Sequence, residues 1–214
     1  MKLFLRDRNP EMGLAWQEFF KNDKDVNISV GNIFEEGPWL DAECIISPAN
    51  SFGFMDGGID FVYSTFFGWN ASEMLREELW TKHNGELLVG QAEIVDMRKT
   101  TSTDKRILER VQRMPYLISA PTMRVPMNVS GTVNAYLAFV ASLRLAKKHD
   151  IKSILCPGLA TSIGQMPYRT AACQMYEAWK HYDKPRFFDV LGNAHQFHYS
   201  MMNPDTYLGS FYER

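Results

Sequence analysis

One stretch, residues 45–61, constrains this chain more than any other; it reads IISPANSFGFMDGGIDF. An apolar run of the kind that forms a buried strand breaks at Ser47-Pro48 into a loop of small residues, and Ile59-Asp60-Phe61-Val62 then opens a helical pattern. A strand that passes through a glycine-bearing loop into a helix presents backbone N–H groups and a positive dipole end to one spot, where an anion can sit. Asn50 and Asp60 bracket the loop, adding an amide that can hold a sugar hydroxyl and a carboxylate that can accept a proton. Residues 156–171, CPGLATSIGQMPYRTA, repeat the form of strand, small-residue loop and helix. Two such loops can close on one diphosphate ligand.

The rest of the chain supplies the frame. Apolar alternation predicts strands at 3–5, 25–30, 43–46, 92–97, 116–120, 152–156 and 187–191. Helical spacing predicts helices at 11–20, at 61–67 and 72–80 with a break near Gly68, between 132 and 149, and at 168–182. The inner face of the first helix is expected at Leu14, Ala15, Phe19 and Phe20, and that of the helix before His149 at Val133, Leu137, Val140, Ala141 and Leu145. Residues 98–113 hold six basic and two acidic side chains and are expected to be a solvated loop with a short helix. Strands alternating with helices throughout indicate a largely parallel sheet covered on both faces.

With 214 residues the chain suits one domain, residues 1–214, carrying a short aromatic extension from about residue 193. At 45% hydrophobic and 22% charged it has the balance of an ordinary water-soluble protein. A formal charge of −2 argues against a nucleic-acid footprint, which makes a whole domain basic. Arg6-Asp7-Arg8 interrupts the first apolar residues before a signal peptide develops, and no run approaches the roughly 20 apolar residues a membrane span needs, so a cytoplasmic protein without a membrane partner is expected. Cys44, Cys156 and Cys173 are odd in number and fall in predicted strands and a helix, which fits reduced core residues. His195 and His198 are spaced for one helix face but have no third ligand at a metal-site spacing, so no metal and no cofactor is expected.

Three predicted strands end in loops suited to a ligand: Gly31-Asn32-Ile33, Ser47 to Asp60, and Pro157 to Gln165. Taken in order, Gly31-Asn32-Ile33, Ser47-Pro48-Ala49-Asn50 with Gly57-Gly58-Ile59-Asp60, and Pro157 to Gly164 resemble the motifs of the macro domain family of ADP-ribose binders, and the resemblance runs from Val26 to Phe188. It implies an α/β fold, a three-layer α/β/α sandwich with a mixed, largely parallel central sheet, and ADP-ribose or an ADP-ribosylated protein as the partner. By position, Asn32 would meet the adenine with Ile33 packed near it, Asn50 would bind the distal ribose, and Ala49 before it counts among the ligand-binding residues. Gly57, Gly58 and Ile59 would pass close to the diphosphate, and Thr161, Ser162, Ile163, Gly164 and Gln165 would wrap it from the other side. Asp60 matches the aspartate of the hydrolytic, MacroD-type members, so Asn50 and Asp60 become the candidate catalytic pair of an ADP-ribosyl hydrolase.

The chain departs from the family pattern in having Asn32 where an aspartate is usual, Ser47-Pro48 where Val-Asn is common, and Phe54-Met55-Asp56 ahead of the two glycines. Other functions stay open at this stage: a module that binds ADP-ribose without turnover, with Asp60 as a helix-start residue only, or a phosphatase or deacetylase acting on an ADP-ribose derivative. Asp56 reads as a turn residue. Phe197, Tyr199, Tyr207, Phe211 and Tyr212 are expected to pack over a sheet edge.

Overall fold

A computed structural model describes residues 1–48 and 50–206. Ala49 and residues 207–214, with Tyr207, Phe211 and Tyr212, lie outside the described residues. In chain order the elements are β1 (Lys2–Asp7), α1 (Pro10–Phe20), β2 (Val26–Val30), β3 (Cys44–Ser47), α2 (Gly58–Phe67), α3 (Asn70–His83) and β4 (Glu93–Asp96). There follow α4 (Lys105–Arg113), β5 (Tyr116–Ser119), α5 (Asn134–Lys148), β6 (Ser153–Cys156), α6 (Tyr168–His181) and α7 (Leu191–Met202). The six strands form one sheet in the order β2-β1-β6-β3-β5-β4, parallel except for β4, which runs antiparallel to β5.

Because successive strand side chains point to opposite faces, the sheet feeds two cores. Leu3, Leu5, Cys44, Ile46, Ile118, Ile154 and Cys156 pack with Trp16, Phe20, Phe139, Leu143 and Met175 of α1, α5 and α6. Ile45, Leu117, Leu155 and Val95 pack on the other face with Tyr63, Phe67, Leu75, Leu79 and Val111 of α2, α3 and α4. This is the three-layer sandwich that the resemblance implies, with the sheet covered on both faces as the alternation indicates. All four residues of β3 are buried, as befits a central strand of a sheet covered on both sides. The three cysteines are buried and unpaired, and burial pushes their thiols up.

Four expectations need correction. Leu14 is 65% exposed; α1 turns Met12, Ala15, Trp16 and Phe20 inward instead, since Trp16 outranks Leu14 in apolar area. The deepest stripe of α5 is Ala135, Ala138, Phe139, Ser142, Leu143 and Ala146, whose small members let the helix approach Ala171, Ala172 and Ala178 of α6, and this leaves Val133, Leu137 and Leu145 on the flank. Residues 187–191 form no strand: Phe187 and Leu191 are exposed, while the Phe188 ring lies 5.7 Å from Phe197 of α7. That apolar run serves to seat α7, which packs on α6 rather than over a sheet edge.

The connection leaving β1 carries α1 to one face of the sheet, and the connection leaving β3 carries α2 to the other. α6, which follows β6, lies on the same face as α1, so the loops at the carboxyl ends of the neighbouring strands β6 and β3 part, which is where open α/β sheets leave a crevice.

Candidate functional site

A cavity of about 510 Å³ occupies that crevice, within the size range of small-molecule sites. It is walled by residues at the ends of five parallel strands: Arg6 to Asn9 at β1, Gly31 to Ile33 after β2, Pro48, Asn50, Phe54, Asp56 to Asp60 and Val62 after β3, Thr122, Met123 and Pro126 after β5, and Pro157, Gly158 and Ala160 to Gly164 after β6.

The loop after β3 is held by its own polar groups. Asn50 Nδ2 donates to the Phe54 carbonyl at 2.8 Å, and Asn50 Oδ1 accepts from the N–H groups of Phe52 at 3.0 Å and Phe54 at 3.3 Å. The Ser64 hydroxyl donates to the Met55 carbonyl at 2.7 Å and the Ser72 hydroxyl to that of Gly53 at 2.9 Å, which pulls the loop onto α2 and α3. Gly57 then enters α2 with φ −142° and no side-chain cap, and Gly58 follows at φ 58°, a left-handed conformation that favours glycine. A Cβ on Gly57 or Gly58 would meet nothing within 4 Å. Gly57 to Asp60 line the cavity, and no side chain caps the first N–H groups of α2, the arrangement by which a helix start can hold an anion.

The loop after β6 is a closed turn. Met166 N–H donates to the Ala160 carbonyl at 3.0 Å and Gln165 N–H to that of Ser162 at 3.1 Å. A Cβ on Gly164 would lie 2.3 Å from the Ala160 carbonyl oxygen, so close backbone approach demands glycine there. Thr161, Ser162, Ile163 and Gly164 line the cavity, whereas Gln165 does not; its side-chain oxygen accepts from Asn128 at 2.9 Å.

Asp60 lies at the cavity in the first turn of α2, 7% exposed, and accepts from the Ser47 hydroxyl at 2.5 Å. Burial drives its pKa up to about 7 against the lowering effect of the Ser47 hydrogen bond. Asn32 and Ile33 line the wall after β2; Asn32 Oδ1 accepts from Phe34 N–H at 3.2 Å, and its backbone carbonyl accepts from Arg6 Nε at 2.8 Å. The Arg6 guanidinium also pairs with Glu35 at 2.7 Å and stacks over Trp39 at 3.7 Å, so a buried cation underpins the Asn32 turn.

The structure therefore gathers Asn32, Ile33, Asn50, Gly57, Gly58, Ile59, Asp60 and Thr161 to Gly164 around one cavity; Ala49 is outside the described residues. The end of β1 also joins the site, without a small-residue loop to mark it in the sequence. Asp7 Oδ2 accepts from Gly158 N–H, and Asn9 caps α1 while donating to the Tyr168 hydroxyl at 2.7 Å. No glycine marks that loop; its legible signal is the Asn9-Pro10 helix start. Residues 98–113 do not line the cavity: Arg98 pairs with Asp96, Arg106 with Asp104 and Arg113 with Asp41, and Arg110 donates to the last carbonyls of α2. Among the described residues no group of three His, Cys, Asp or Glu side chains is placed to hold a metal ion, and no helix is long and apolar enough to cross a membrane.

A mixed, mostly parallel sheet between two helical layers, with a cavity across the strand ends and an uncapped helix start in its wall, defines an α/β domain of the three-layer class. The chain belongs to the macro domain family: residues 46–175 match the model of that family. A protein of Aquifex aeolicus (strain VF5) is 31% identical over 153 residues, covering 72% of this chain and 79% of that protein. The fold is similar to that of the Oceanobacillus iheyensis macrodomain with ADP, with a TM-score of 0.53 and 18% identity over 70% of this chain and 77% of that one. It is also similar to Thermosipho africanus DarTG in complex with ADP-ribose, with a TM-score of 0.54 and 14% identity over 86% of this chain and 51% of that one.

Proposed function

We propose that the cavity binds ADP-ribose or a close derivative and that the protein hydrolyses an ADP-ribosyl bond. The observation that carries this reading is the juxtaposition of the uncapped start of α2, the Gly158–Gly164 turn and the buried Asp60 carboxylate around one cavity. The complex of Thermosipho africanus DarTG with ADP-ribose supports the choice of ligand. In this reading Asn32 and Ile33 meet the adenine. Gly57, Gly58 and Ile59 approach the diphosphate, while Thr161 to Gly164 enclose it and Gln165 supports their turn. Asn50 has one N–H left over for a ribose hydroxyl once Phe54 is served.

Hydrolysis would then run as follows. A water oxygen bonds to the anomeric carbon of the distal ribose as the bond to the modified side chain breaks, and the leaving oxygen or nitrogen keeps the electron pair. The ribose passes through oxocarbenium character, and Asp60 takes the water proton. A carboxylate that titrates near 7 suits a general base at neutral pH, worth about 10²–10⁴-fold in rate. The depth of Asp60 favours a second reading, a binding module in which the carboxylate only braces α2.

A panel of ADP-ribosylated peptides separates the two. The hydrolase reading expects release of ADP-ribose, a fall of at least about a hundredfold with Asp60→Ala, and little change in ADP-ribose affinity. Micromolar binding, near −8 kcal/mol, with AMP much weaker, is expected by calorimetry. Binding without release from any peptide leaves the module; equal affinity for AMP and ADP-ribose sinks both.

A further inference from the structure

We propose that Ser47 is a positioning residue for Asp60: its hydroxyl holds the carboxylate in one orientation at the wall of the cavity. The proposal rests on the reading of Asp60 as the base of this cavity. Ser47 ends β3, is fully buried, and donates to Asp60 Oδ1 at 2.5 Å. One turn further along α2, the buried Tyr63 hydroxyl donates to the carbonyl of Ile46, the residue before Ser47, at 3.0 Å. Residues three apart share a helix face, so Asp60 and Tyr63 latch the first turn of α2 to the last two residues of β3. The carboxylate is thereby fixed to the most buried strand of the sheet rather than to a loop.

Ser47 is also the donor on which the charge depends. The ionisable groups that share the cavity wall with Asp60 are Asp56 in the loop before it, Arg6 and Asp7 at the end of β1, the solvent-exposed Arg8, and Tyr168 at the start of α6. Tyr63, on the same helix as Asp60, feels it together with Asp7, Cys44 and Cys156. Tyr63 spends its proton on Ile46, Arg6 on Asn32 and Glu35, and Asp7 is itself an acceptor. Arg110 caps the opposite end of α2. Among the described residues, the Ser47 hydroxyl is therefore the group that offsets the burial of this carboxylate. Desolvation raises the proton affinity of Asp60 and the Ser47 hydrogen bond lowers it, so deleting the hydroxyl leaves desolvation unopposed.

The test is a ¹³C NMR titration of the Asp60 carboxyl in the full-length chain without ligand, the signal being assigned by its loss in Asp60→Asn. The wild-type midpoint is expected near 7. Ser47→Ala should move it upward by at least about one pH unit, because a hydrogen bond to a charged group is lost. Ser47→Thr restores a hydroxyl and should return it to within about half a unit of wild type. Ser47→Cys, a poor donor of similar size, reads the same change as Ser47→Ala should that variant fail to fold. An unchanged or lowered midpoint in Ser47→Ala or Ser47→Cys, a Ser47→Thr shift as large as that of Ser47→Ala, or a wild-type midpoint at the ordinary carboxylate value overturns the proposal. On an ADP-ribosylated peptide the acid limb of the kcat profile should move by the same amount, giving a loss of about fivefold at pH 7 and about tenfold well below it, with KM within about twofold. A shifted carboxyl midpoint together with no release of ADP-ribose by wild type would uphold Ser47 and dismiss the hydrolase reading, so the two fail separately.

Discussion

Asp7, the last residue of β1, accepts from the backbone N–H of Gly158 at 3.0 Å with one carboxylate oxygen and from Asn9 N–H at 2.9 Å with the other. One side chain thus ties the turn after β6 to the start of α1. Asp7→Ala should free that turn and weaken ADP-ribose about five- to tenfold, near 1 kcal/mol, in calorimetry. Asp7→Asn, which keeps an acceptor, should lose less. Wild-type affinity in Asp7→Ala would show that the turn is held by other groups.

Gly57 and Gly164 are both glycines of the cavity wall, yet they should respond differently. Gly57 has an extended φ of −142° and open space where a Cβ would go. Gly57→Val should therefore fold with stability within about 0.5 kcal/mol of wild type while losing at least about tenfold in ADP-ribose affinity. Gly164→Ala drives a Cβ to 2.3 Å from the Ala160 carbonyl oxygen, and should cost about 1–3 kcal/mol in urea unfolding. Equal stability of the two variants would contradict this division.

Asn50 braces its loop with three hydrogen bonds. Asn50→Ala should lower both stability, by about 1–2 kcal/mol, and ligand affinity, since the loop that leads to Gly57 loses its brace. Asn50→Asp retains the two acceptor contacts and loses the donor to Phe54, so it should fall between wild type and Asn50→Ala in thermal unfolding. A ranking with Asn50→Asp at or below Asn50→Ala would show that the donor alone matters.

Asp60 makes stability depend on pH with a definite sign. Its pKa of about 7 in the folded chain exceeds the ordinary 3.8, so its contribution is fully present below about pH 4 and is lost as pH rises through 7. Asp60→Asn abolishes this loss. Its stability relative to wild type should rise by on the order of 2–3 kcal/mol between pH 5 and pH 8, measured by denaturant unfolding at each pH. A constant difference across that range would mean that Asp60 does not titrate there.

The sequence by itself determined the layered fold and most of the cavity wall. Period-two runs such as Cys44-Ile45-Ile46 and helical spacing in α1, α5 and α6 are local consequences of burial, and six of the seven expected strands are present among the described residues. Small-residue loops are likewise local, which is why Gly31 to Ile33, Gly57 to Asp60 and Thr161 to Gly164 could be marked in advance. Residues 187–191 carry the same apolar signal as a strand but seat α7, because whether such a run pairs with the sheet depends on what tertiary structure leaves for it to cover. Only the fold brought Asp7 to Gly158, 151 positions away, and only the fold placed Asn50's amide inside its own loop. The protonation of Asp60 belongs to the same category: desolvation and the Ser47 hydroxyl set it, and both arise when β3 and the first turn of α2 close on each other.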